Sequence, residues 1–276
     1  MITKSNKKKT FIYDIETYPN LFAVQFKYST SGERQTFFIW QNVDNKNEFV
    51  NQFPLLVDFL LKQVNRVVGY NNHEFDDILI NYILYERERL IGADPLRICL
   101  ELKELANKAI ETQNQDQSEH LSTIRRYKKL KYIQSFDLMV IFNKIERISL
   151  KQMAVNLKWH TIIDLPYAHD SNLDQDQVKK VLIYLNNDVD ITELVLASQS
   201  DEIKLRSNIS KRYDIDVLNS CRTDIAKAVL QKYLCEELKI PANKLKKGRT
   251  FYREVLISDC IDPRVTLYTK EGKRLM

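Results

Sequence analysis

Residues 11–28 read FIYDIETYPNLFAVQFKY, and this stretch decides the fold class. The apolar run Phe11-Ile12-Tyr13 leads into Asp14, the pattern of a buried strand that carries an acid at its end. Leu21 to Tyr28 alternates loosely as a second strand, Ser29 to Glu33 is a turn containing Gly32, and Thr36 to Trp40 is a third strand. Three strands joined by short turns predict an antiparallel meander.

Downstream the period changes. Asn47 to Lys62 has a helical stripe of Phe49, Phe53, Val57, Leu60 and Leu61, which Pro54 breaks or delays. Arg66 to Tyr70 is a short strand, and Phe75 to Leu90 is a helix with Ile78, Leu79, Tyr82, Ile83 and Tyr85 apolar. Tyr132 to Asp137 is a further strand. Helices follow over Leu150–Leu157, Asp174–Ser198, Ile203–Arg212 and Thr223–Leu238. Short strands are expected around Val255–Ile257 and Val265–Tyr268, and the polar stretch Glu111 to Ser122 is a surface loop. Strands alternating with helices point to an α/β sheet covered on its faces.

The 276 residues suffice for one to two domains, and 44% hydrophobic with 29% charged residues is an ordinary globular mixture. A net charge of +5 permits a nucleic-acid partner without requiring one. Cys99, Cys221, Cys235 and Cys260 have neither the C-x-x-C spacing of a zinc or redox site nor the density of a disulfide scaffold, so free thiols in a reducing cytoplasm are expected. No apolar run approaches the roughly 18 residues of a membrane span, and the Lys-rich N-terminus lacks the apolar core of a signal peptide. A cytoplasmic protein without a membrane partner is expected.

Three short segments carry the chemistry. Asp14 and Glu16 lie two apart on a strand, so both side chains leave one face and can serve one cation. Tyr184 and Asp188 stack on one face of the long helix, whereas Asp190 points elsewhere. Asn71 to Asp76 (NNHEFD) follows a strand and opens a helix, so Asp76 can reach a cation from a helix start while Phe75 anchors the turn. Carboxylates suit hard divalent ions, and two such ions about 4 Å apart can activate a water and stabilise both oxygens of a phosphodiester cleavage. Taken singly, these segments are also common strand-end acids, a core-edge tyrosine and an N-capping cluster.

The order Asp-x-Glu, Asn-x-x-x-Phe-Asp, Tyr-x-x-x-Asp resembles the DEDD exonuclease superfamily, in its tyrosine branch. The histidine branch would carry His where this chain has Ile183. The chain is most similar to the N-terminal proofreading domain of bacteriophage family-B DNA polymerases, through 11–22 (FIYDIETYPNLF), 68–76 (VGYNNHEFD), 135–139 (SFDLM) and 184–190 (YLNNDVD). Looser similarity runs through 209–217, 223–226 and 251–268.

The resemblance implies a ribonuclease-H-like mixed sheet flanked by helices over residues 1–200. Over 201–276 it implies a smaller helical and strand extension, like the connection to a polymerase domain. It implies two divalent ions, Mg²⁺ with Mn²⁺ as a substitute, held by Asp14, Glu16, Asp76 and Asp188, with Tyr184 on the attacking water. Asn71 and Phe75 would help shape a single-strand channel. Asp137, in a shared segment, is read as structural.

No polymerase segment such as a tyrosine-containing Gly-Asp-Thr-Asp occurs, so DNA synthesis is not expected of this chain alone. Tyr18 and Phe22 are candidates for contact with a terminal base. The basic runs Arg125–Lys131, interleaved with Tyr127 and followed by Tyr132, and Lys244–Arg249 are candidates for tracking phosphates. The leading expectation is a 3′→5′ exonuclease acting on single-stranded DNA ends in replication. The alternatives are an RNA exonuclease and a DNA-binding subunit that docks on a separate polymerase chain through residues beyond 240.

Overall fold

In the computed structural model, which describes residues 9–114, 119–142 and 148–247, the expected meander is present. It comprises β1 (Thr10–Tyr18), β2 (Leu21–Tyr28), β3 (Arg34–Gln41) and a short β4 (Phe49–Asn51). Asn20 fixes the first turn, donating to the carbonyls of Gln41 and Leu173, both at 2.9 Å. Next come α1 (Phe53–Lys62), β5 (Arg66–Gly69), a 3-10 turn (Asn72–Glu74), α2 (Asp76–Leu90), α3 (Pro95–Asn114), α4 (Leu121–Leu130) and β6 (Gln134–Asp137). The chain continues through α5 (Met139–Phe142), α6 (Leu150–Asn156), α7 (Gln175–Ser198), α8 (Ser200–Tyr213), α9 (Arg222–Leu238) and α10 (Ala242–Lys247).

The six strands form one mixed sheet in the order β4-β3-β2-β1-β5-β6. Pairing is antiparallel from β1 to β4, and parallel between β1 and β5 and between β5 and β6. The alternation of β1 splits its side chains between two cores. Phe11, Tyr13 and Ile15 pack with Phe22, Val24 and Phe26 against apolar residues of α1, α2 and α3. On the other face Ile12 joins Val68, Phe136 and the α7 residues Val189, Ile191 and Val195, while Tyr18 joins Leu21, Ala23, Trp40, Val181 and Leu185. Each buried side chain of this size contributes about 1.5–3 kcal/mol. On that second face the apolar stripe of β1 is interrupted only by Asp14 and Glu16.

Two predicted elements shift. The helical stripe expected from Asn47 begins only at Phe53, because Phe49–Asn51 pairs with β3 as β4. Pro54 then falls in the first turn of α1, where its missing N–H costs nothing. The surface loop expected from Glu111 starts later, since α3 continues to Asn114. Basic residues 125–129 stand on α4, with Tyr127 buried between Tyr82 and Tyr85.

The chain divides into two compact units at Ala226 and Lys227, so α8 belongs with the sheet. Of the second unit, the rest of α9 and α10 are described; the strands expected near 255–257 and 265–268 lie outside the described residues. Among the described residues no helix is long and apolar enough to cross a membrane.

Candidate metal centre

The carboxylates gather where β1 loses a neighbour. β1 pairs with β5 only over Thr10–Ile12, and β5 ends at Gly69, so Asp14 and Glu16 stand beyond the last parallel partner. Ends of parallel strands where a sheet changes direction are natural ligand sites. α7 crosses the same face and presents Asp188 one turn after Tyr184. Its start is fixed by a capping box, in which Asp174 accepts the Gln177 N–H at 2.8 Å and Gln177 accepts the Asp174 N–H at 2.9 Å.

One carboxylate oxygen from each of Asp14, Glu16 and Asp188 lies within 4.8 Å of the others. Asp76, the first residue of α2 and 5% exposed, is the fourth carboxyl group: it raises the pKa of Asp14, and Glu16 raises its own. Asp190 is turned away, as its spacing predicts: it pairs with Lys27 at 2.6 Å and Arg34 at 2.5 Å, tying α7 to β2 and β3.

Crowding acids out of water raises their affinity for protons. Burial, then Asp76, Asp188 and Glu16, holds Asp14 well above the usual carboxylate range. Burial, then Asp77 and Glu16, does the same to Asp76. Burial and Asp188 push Glu16 up to about 8, against the opposing pull of Lys103 and Lys151. Burial lifts Asp188 to about 6, with Tyr184, Lys151 and Asn187 opposing.

The donor set fits a hard divalent cation. It is all carboxylate oxygen, and Asp76 Oδ1 and Asp188 Oδ1 are buried with no hydrogen-bond partner among the described residues. A buried acceptor without a donor is costly, and a bound cation is one partner that can satisfy such an oxygen.

Tyr184 is 8% exposed, and burial, Asp188 and Glu16 raise its pKa, so its hydroxyl keeps its proton. Asn71 adopts a left-handed conformation at φ 59°, and its Oδ1 is buried without a partner among the described residues. Phe75 is partly buried against the first core. Tyr18 and Phe22 are each 0% exposed, which leaves neither ring a face to offer a base; packing against the two cores claims them. Tyr127, 6% exposed, is likewise a core residue, while Tyr132 is exposed.

Two lysines that the motifs do not include reach this centre. Lys103, 9% exposed on α3, exerts its charge on Glu16, and it has no hydrogen bond or ion pair among the described residues. A lysine within the stripe Cys99, Leu102 and Ala106 is the sequence signal that could have marked it. Lys151 on α6 pairs with Asp164 at 2.9 Å and faces Tyr184. Nothing in the local sequence distinguishes it. Neither protein-family models nor curated proteins gave a match to the chain.

Proposed function

We propose that the chain is a metal-dependent 3′→5′ exonuclease acting on single-stranded DNA ends. The observation that carries this reading is the convergence of Asp14, Glu16 and Asp188 within 4.8 Å, on one sheet face with Asp76 beside them. The strand order, an antiparallel meander leading into two parallel strands, supports the ribonuclease-H-like reading.

Asp14, Glu16, Asp76 and Asp188 would hold two divalent ions, Mg²⁺ or Mn²⁺. Bound there, the ions would supply a hydroxide at neutral pH and stabilise charge on the departing oxygen. Tyr184, locked in the protonated form, donates a hydrogen bond that orients the attacking water. Lys103 and Lys151 bring positive charge to the edge of the carboxylates, where a phosphodiester must lie. Asn71 and Phe75 flank Asp76 and form part of the strand's path. Proofreading for a polymerase is the role in which this activity fits the resemblance.

The test is a 5′-labelled single-stranded DNA oligonucleotide incubated with Mg²⁺ or with EDTA, beside RNA of the same sequence. A metal-dependent ladder shrinking from the 3′ end of DNA is expected. Intact DNA with degraded RNA would reassign the substrate, and intact DNA and RNA would overturn the reading.

A further inference from the structure

The turn that delivers Asp76 is held in an unfavourable shape. Gly69 ends β5, and a Cβ there would stand 2.7 Å from Asn72 Cβ, so the chain folds back too tightly for any side chain. Asn71 then takes a left-handed φ of 59°, and turns of this kind persist only where the surroundings enforce them.

What enforces this turn is Asp137, 2% exposed at the end of β6. Its Oδ1 accepts the backbone N–H groups of Asn71 and Met139, each at 2.9 Å, and its Oδ2 accepts that of His73 at 3.3 Å. The His73 ring lies between two carboxylates, 3.9 Å from Asp137 Oδ2 and 3.6 Å from Asp77 Oδ2. Asp137 is itself anchored. The Asn219 side chain accepts its N–H at 3.1 Å and donates to the Ser135 carbonyl at 2.8 Å, occupying the free edge of β6 as a partner strand would. Asn72 completes the join, donating to Ser135 Oγ at 2.6 Å and to Asp77 Oδ1 at 3.2 Å.

The oxygens of Asp137 are thus spent on backbone donors rather than offered to a cation. Two charge-assisted hydrogen bonds, from Asn71 and His73, bind the β6 end to the Asn71–Phe75 turn, and the third, from Met139, fixes the carboxylate at its own end of the chain. Asp76 is the next residue, and its Oδ1 has no hydrogen-bond partner among the described residues.

We infer that Asp137 is a positioning residue for the cation-binding carboxylate Asp76, acting through the backbone of the Asn71–Phe75 turn. This rests on the proposed metal centre. It makes Asp137 part of the machinery that sets cation affinity, although it touches neither cation nor substrate.

Mn²⁺ binding measured by calorimetry tests the inference without relying on cleavage. The variants are Asp137→Asn and, as a control for general loosening, Asn20→Ala, which removes buried hydrogen bonds at the β1–β2 turn without touching the Asn71–Phe75 turn. Loss of such a supporting contact typically weakens metal affinity about 10–100-fold. Asp137→Asn is expected to fall in that range while Asn20→Ala binds as wild type does. Should Asp137→Asn fail to fold, Asn219→Ala, which only loosens the anchor, is read in the same way and is expected to weaken binding. Wild-type affinity in a folded Asp137→Asn, or in Asn219→Ala if it is the one read, would overturn the inference and leave the metal centre standing. Equal weakening in Asn20→Ala would reduce Asp137 to a general structural role. A flat wild-type isotherm would instead remove the metal centre, and the inference with it.

Discussion

The Lys151 ammonium lies 5.7 Å from the centre of the Tyr184 ring, on the helix face that also presents Asp188. Burial and the carboxylates of Asp188 and Glu16 hold the Tyr184 hydroxyl protonated against the pull of that ammonium, and on the proposed reading it acts as a donor rather than a base. Tyr184→Phe should therefore slow cleavage by about 10²-fold, at the low end for a lost proton-directing contact. The shape of the pH–rate profile should not change. Steady-state rates across pH check this, and wild-type turnover would reduce Tyr184 to packing.

Glu16 gives a pH dependence of stability. Its folded-state pKa of about 8 exceeds the ordinary 4.5, so between those values the folded chain binds more protons than the unfolded one. In EDTA the melting temperature should therefore fall as pH rises through that window, and Mg²⁺ should restore more of it at the alkaline end. Glu16→Gln should flatten the decline and raise metal-free stability at about pH 8 while losing activity, a trade common at charged sites. A melting temperature that climbs over the same window would contradict the burial of the acid.

Asp188 and Asp190 separate the site from its scaffold. Asp188→Asn removes a candidate ligand and should abolish cleavage with little loss of fold. Asp190→Asn breaks partly exposed ion pairs to Lys27 and Arg34, costing about 1 kcal/mol, and should leave cleavage intact. Thermal melts and cleavage assays on both variants decide the assignment. The reverse pattern would exchange their roles.

Lys103 should act on binding. Lys103→Met keeps an unbranched side chain at this buried position of α3 and removes the charge. It should raise KM for the oligonucleotide while kcat stays near wild type, and reduce the slope of log KM against log salt by about 0.7, the value for one lost phosphate contact on a single strand. An unchanged salt slope would make Lys103 a counter-charge to Glu16 alone.

Much of this arrangement is legible in the residues. The alternation in Phe11–Tyr28 gives the meander and puts Asp14 and Glu16 on one face, and the four-residue spacing of Tyr184 and Asp188 does the same on α7. Asp190 is excluded by the same geometry. α3 is less legible, although Ile98, Leu102, Leu105, Ala106 and Ala109 repeat with helical spacing and are all buried. β4 is hidden because Phe49 also satisfies the stripe of α1. Tyr18 and Phe22 mislead because aromatic residues after a catalytic-looking motif suit a stacking role and a core equally. Burial of Tyr18 is settled by Trp40, Leu173 and α7, and that of Phe22 by the core with α1, α2 and α3, all later in the chain. Lys151 and Asp137 gain their roles from contacts made across more than thirty residues of chain, as with Tyr184 and Asn71, which no local pattern encodes.

The central claim is tested most directly by the cleavage rate of an Asp14→Ala, Glu16→Ala variant on 5′-labelled single-stranded DNA in Mg²⁺, with circular dichroism to verify its fold. The wild type should yield a ladder from the 3′ end. The variant should lose at least about 10³-fold in rate, the equivalent of several kcal/mol of transition-state stabilisation. A folded variant that degrades DNA at the wild-type rate would contradict the assignment of these carboxylates as the catalytic centre.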